Sequence, residues 1–93
     1  MSELSTKVCI HIPTHLSAYT GGESQVMVGG ATLGEALAEL DQRFPGIRFR
    51  FITEQDEVRE HMKVFVDREQ VFDLHTPLGE TSEIHIIAAL SGG

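Results

Sequence analysis

Glu83-Ile84-His85-Ile86-Ile87-Ala88-Ala89 runs straight into Leu90-Ser91-Gly92-Gly93. Its first seven residues have the apolar, β-branched composition of a strand lying in the interior of a sheet. Its last two carry no Cβ, so they pass through narrow channels and take backbone angles closed to other residues. Four extended residues reach about 13 Å beyond a folded edge. That is enough to carry a terminal carboxylate into another protein's pocket while the domain stays outside. Taken alone, the same tail also reads as a frayed end of no consequence.

Upstream, Lys7-Val8-Cys9-Ile10-His11-Ile12 alternates branched apolar with polar or small residues, and Pro13 ends the run, which predicts a half-buried strand. Gln25-Val26-Met27-Val28 predicts a second strand, joined to the first as a hairpin through the Leu16 to Ser24 loop. Gly21-Gly22 in that loop suits a turn with positive φ. Thr32 with Glu35 three residues later matches a capping box. Leu33, Ala36, Leu37, Leu40 and Phe44 then fall on one helical face, Glu39 and Arg43 stand four apart in the favourable order, and Pro45-Gly46 stops the helix. Ile47 to Glu60 predicts an irregular crossover with edge pairing. Met62 to Asp67 predicts a strand, Asp67-Arg68-Glu69 a turn, and Gln70 to Phe72 a short strand. One helix covers only one face of such a sheet. The expected fold class is therefore α+β, a β-grasp with a mixed sheet of four to five strands. The last strand lies in the middle, parallel to the first.

The 93 residues allow one domain, 1–93, ending in the tail 90–93. Fourteen acidic against seven basic residues give a net charge of −7, which repels phosphate backbones and anionic membranes. Neither nucleic acid nor membrane is expected as a partner. A polar N-terminus, no apolar run long enough to span a bilayer and a single cysteine, Cys9, lead to the expectation of a cytoplasmic protein.

Gly29 and Gly34 have the interval of a phosphate-binding loop, but Glu35 stands where that loop needs lysine. The chain is expected to bind no cofactor of its own. Five histidines, His11, His15, His61, His75 and His85, lack metal-ligand spacing. If the first and last strands pair, His11 and His85 become neighbours and offer two ligands at most, so no metal is expected. Cys9 lies two residues from His11, a consequence of strand period, and no enzyme activity is expected. Alternation sends Val8, Ile10, Ile12, Val64, Val66, Ile84 and Ile86 toward the helix, and Cys9, His11, Lys63, Phe65, His85 and Ile87 the other way. Phe65 and Ile87 then either form a partner surface or lie beneath the segment Ile47 to Glu60.

Several segments in order resemble the MoaD/ThiS family of ubiquitin-like sulfur carriers. They are Ile12-Pro13-Thr14, Tyr19-Thr20-Gly21-Gly22, Ala31-Thr32-Leu33-Gly34-Glu35-Ala36-Leu37, Pro45-Gly46-Ile47-Arg48, Lys63-Val64-Phe65-Val66-Asp67, Thr76-Pro77-Leu78 and the ending. The resemblance implies that Gly93 is the reacting residue. An E1-like adenylating and sulfurtransferase enzyme would use ATP to activate its carboxylate, and a thiocarboxylate there would donate sulfur to a biosynthetic enzyme. Gly92, Ser91 and Leu90 would provide access, with Phe65 and Ile87 as the docking patch. The pathway types this implies are cysteine, methionine, sulfur-containing natural product, molybdopterin or thiamine.

The chain also departs from the family pattern. Many relatives have asparagine at the positions of Lys63 and Asp67, a Gly-Asp turn at Glu80 to Glu83, proline at Ala88 and alanine at Ser91. Without that proline the base of the arm is less stiff. The Leu16 to Ser24 loop and Thr76-Pro77-Leu78 resemble carriers serving cysteine, methionine or sulfur-containing natural products more than the thiamine carriers. Two other functions share these residues: a ubiquitin-like modifier conjugated through Gly93, and a β-grasp binding module whose tail is idle.

Overall fold

Alternation along the strands sets the sheet, and one amphipathic helix covers half of it. The computed structural model describes residues 7–79 and 82–88. Strands β1 (Lys7–His11), β2 (Gln25–Gly29), β3 (Met62–Val66), β4 (Glu69–Gln70) and β5 (Glu83–Ala88) form one sheet in the order β2-β1-β5-β3-β4. The last strand is central. It pairs parallel to β1, with Ile10 beside Ile84, and antiparallel to β3, with Val64 beside Ile86. This is the expected mixed β-grasp sheet.

Helix α1 (Leu33–Arg43) buries Leu33, Ala36, Leu37 and Leu40 against Val8, Ile10, Val64 and Ile84 in one core. Its start is held on every side. Thr32 Oγ1 accepts from the Glu35 amide at 3.3 Å, while the Leu33 and Gly34 amides donate to the carbonyls of Thr76 and Leu74 at 2.9 and 2.8 Å. The Glu35 carboxylate reaches the Ala31 amide at 2.8 Å, one residue earlier than a standard capping box. At the other end the Arg43 guanidinium lies 3.2 Å from Glu39, as the spacing predicts.

Gly30 is where strand and helix come closest. A Cβ there would stand 2.7 Å from the Ala36 backbone nitrogen and 3.1 Å from its Cα. Neither atom can move without shifting the helix, so Gly30→Ala is expected to cost about 1–3 kcal/mol. A urea melt checks this, and an unchanged midpoint would contradict it.

Three segments differ from the sequence reading. Thr14–Thr20 is a 3-10 helix that overlaps the first part of the Leu16 to Ser24 loop, with Leu16 and Thr20 buried and the Thr20 hydroxyl donating to the carbonyls of Ser17 and Glu23. Its seven residues carry no helical periodicity to reveal it. Gly21 and Gly22 follow with φ of 65° and 94°, as the turn requires.

The segment after α1 is the expected irregular crossover, but among the described residues it pairs with no strand of the sheet. Arg48–Arg50 is a 3-10 turn, Ile52 and Val58 form an isolated bridge, and Ile47, Phe51 and Ile52 are fully buried in the core.

The short strand is Glu69–Gln70 in place of 70–72, because Asp67 and Arg68 make a two-residue hairpin turn with both φ positive, at 50° and 81°. Such a turn matches the twist of the flanking strands. The Asp67 carboxylate accepts from the Glu83 amide at 2.9 Å and from the Ser82 hydroxyl at 3.0 Å, tying the hairpin to the start of β5. Ala89, read as the end of the last strand, lies outside the described residues.

Candidate functional site: the central strand and the open sheet face

β5 is hydrogen-bonded to a neighbour on both edges and ends at Ala88 opposite Met62. The last residue described thus belongs to the middle strand of the sheet and precedes Gly93 by five positions in the sequence. Leu90, Ser91, Gly92 and Gly93, the residues expected to reach a partner, lie outside the described residues.

The sheet face away from α1 carries the side chains that alternation assigned to it. Val8, Ile10, Val64 and Ile84 are fully buried, whereas Ile87 is 45% exposed and Phe65 half-buried. Phe65 stands opposite His85 across the β3–β5 pair, with Ile87 opposite Lys63. Ile47, Phe51 and Ile52 pack into the helix-side core, so their segment does not cover Ile87. Met27, opposite Cys9 on β2 and 49% exposed, adds a third apolar side chain to this face. The sequence held the signal, since Met27 sits between the buried Val26 and Val28.

Between these apolar residues lies a polar cluster. His11 and His85 occupy paired positions on β1 and β5, and their rings stack at 4.0 Å with an interplanar angle of 3°. Glu83 Oε1 lies 3.0 Å from His11 Nε2 and 3.6 Å from His85 Nε2. Glu83 is the partner that sequence reasoning missed. A parallel pairing puts Glu83 beside Cys9, two residues from both histidines along the face.

Cys9 Sγ is 3.8 Å from the same His11 Nε2 that meets Glu83. A nucleophile pair needs the base to turn one nitrogen to the thiol and the other to an orienting acid; here one nitrogen faces both. Burial, and then the neighbouring Glu83 charge, push the Cys9 thiol above its ordinary value. The arrangement therefore does not activate Cys9.

The glycine spacing before α1 likewise makes no phosphate cradle. The amides of Leu33, Gly34, Glu35 and Ala36, the free donors of a helix start, all have protein acceptors. Among the described residues no helix is long and apolar enough to cross a membrane.

The family model described as the ThiS family matches residues 10–93. The sulfur carrier protein CysO of Mycobacterium tuberculosis is 30% identical over 91 residues, covering 92% of this chain and 98% of the relative. A chain of the crystal structure of the Amycolatopsis orientalis BexX/CysO complex superposes with a TM-score of 0.85 at 31% identity, covering 92% of this chain and 99% of that one. SAMP1 from Haloferax volcanii shares the fold, with a TM-score of 0.78 at 23% identity over 94% of this chain and 99% of that one. A family match running from β1 through the diglycine, on a sheet whose middle strand leads to that diglycine, identifies the chain as a member of the ThiS family, a ubiquitin-like sulfur carrier of the MoaD/ThiS type.

Proposed function

We propose that the chain carries sulfur as a thiocarboxylate on Gly93. A free carboxylate is a poor electrophile, so the first step is attack of a carboxylate oxygen on the α-phosphorus of ATP at an E1-like enzyme. This forms the acyl adenylate and releases pyrophosphate. Sulfide or an enzyme persulfide then adds to the carbonyl carbon and AMP leaves with the C–O bonding pair; a persulfide also needs a thiol to cleave its S–S bond. The resulting thiocarboxylate sulfur is a nucleophile toward an acceptor bound to a biosynthetic enzyme. ATP belongs to the activating enzyme, and no residue of this chain contacts the reaction except at its tail.

The observation that carries this reading is the place of β5. A strand paired on both edges anchors the tail to the core, and the five residues after Ala88 can extend about 17 Å from it. The test is ATP–pyrophosphate exchange by the activating enzyme. Exchange that depends on the chain is expected, and exchange unaffected by its omission would contradict adenylation of Gly93.

Docking of the activating enzyme and of the acceptor is assigned to the face bearing Phe65 and Ile87, whose apolar side chains water would otherwise keep in contact. The solved A. orientalis complex of CysO with BexX supports a protein partner for this fold. Ile87→Arg puts a charge where an apolar contact would be buried, and should weaken partner binding at least about tenfold. Its melting temperature should stay near that of the wild type, because Ile87 is already 45% exposed. Unchanged partner affinity by calorimetry would remove Ile87 from the interface.

A further inference from the structure

We propose that His11, Glu83 and His85 form a binding site for a divalent transition-metal ion of the Zn2+ class, with one coordination position left open on the uncovered sheet face. This does not depend on the sulfur-carrier reading. One ligating atom from each of the three residues lies within 4.8 Å of the other two, and among the described residues this is the one such group of three.

The distances fit a single ion. Two donors held at about 2.0–2.2 Å by one tetrahedral centre stand about 3.3–3.6 Å apart. The Glu83–His11 and Glu83–His85 separations of 3.0 and 3.6 Å lie close to that value without any backbone movement. The ion would take the place of the hydrogen bond between His11 Nε2 and the Glu83 carboxylate. The parallel rings must tip toward a common point, a rotation open to side chains that are 27% and 42% exposed.

The scaffold is rigid where it matters. His11 and His85 sit on paired positions of the two central strands, and the Glu83 amide is held by the Asp67 carboxylate at 2.9 Å. Sites built on strands hold their ligands better than sites on loops. Two imidazoles and one carboxylate favour zinc and its neighbours in the first transition row, whereas calcium and magnesium require more oxygen ligands than this face provides. Three protein ligands leave the fourth tetrahedral position to water or to a donor from a docked partner. The site lies between Met27 on one side and Ile87 on the other, so such an ion would be at the centre of any interface formed by this face.

The test uses the full chain, stripped of metal and titrated with Zn2+ alone by calorimetry, then with Co2+ followed by visible absorption. One ion per chain is expected, saturating below about 100 µM, with the intense bands of four-coordinate cobalt. His11→Gln and His85→Gln should each weaken binding at least about tenfold, and His61→Gln or His75→Gln should leave it unchanged. Wild-type affinity in the His11→Gln/His85→Gln double variant, or no binding up to about 1 mM, would overturn the proposal. Imidazole nitrogen NMR of the wild type gives the answer without substitution. Zn2+ must shift the ring signals of His11 and His85 before those of His15, His61 and His75, and the reverse order would overturn the assignment.

Discussion

Removal of Gly93 is expected to abolish thiocarboxylate formation while leaving the fold untouched. The described part of β5 runs to Ala88, and the truncation removes none of the strand pairings or core contacts of the described residues. Its effect is one of reach. The new terminal carboxylate, on Gly92, is withdrawn by about 3.4 Å, and misplacement of a reacting group by about 1 Å already costs roughly 100-fold. The rate should therefore fall by at least about 1,000-fold, with the melting temperature within about 1 °C of the wild type. Gly92→Val separates reach from access: it keeps the length, adds a branched side chain to the threaded arm and should slow activation strongly. A truncated chain that still carries sulfur at the wild-type rate would mean that the tail is not the reacting group. It would favour the binding-module alternative, in which the sheet face acts and the tail is idle.

The second large effect is on stability. Phe51 heads the fully buried side chains by volume and belongs to the segment that joins α1 to β3. Truncation removes its transfer free energy and leaves a cavity in the core that the surrounding side chains fill only in part. Phe51→Ala is expected to cost about 3–5 kcal/mol, which for a domain of this size lowers the melting temperature by roughly 15–30 °C. Thermal denaturation followed by circular dichroism measures it. A loss below about 1 kcal/mol would show that the segment lies outside the core.

The different legibility of β5 and of Phe51 has a physical origin. Strand and helix periods report burial directly: Val8, Ile10, Val64, Ile84 and the Leu33–Leu40 stripe were assigned to the core from spacing, and all are fully buried or nearly so. Central, parallel placement of the last strand followed from its apolar composition and the rule that a single helix covers a single face. Phe51 had no such period around it. Its neighbours turn through a 3-10 helix and an isolated bridge, so the residues that enter the core do so at irregular intervals. The Thr14–Thr20 turn is hidden for the same reason, being fixed by the two buried side chains Leu16 and Thr20 and by hydrogen bonds that the Thr20 hydroxyl donates to backbone carbonyls.

The open face shows a second limit. Which side chains point there was readable from alternation, including Phe65, Ile87 and the two histidines. Register was not. That Glu83 comes to lie within 3.6 Å of both rings depends on which residue of β5 pairs with His11, and a slip of one residue would turn Glu83 toward the core. The roles of Gly93, Gly92, Ser91 and Leu90 come from family resemblance and the chemistry of a terminal carboxylate.

The most direct experiment is intact-mass analysis of the chain after incubation with an E1-like activating enzyme, ATP and sulfide, followed by fragmentation. A product heavier by the difference between sulfur and oxygen, with the added mass confined to Gly93, is the predicted result. An unchanged mass while ATP is consumed, or sulfur found on Cys9 in place of Gly93, would contradict the account.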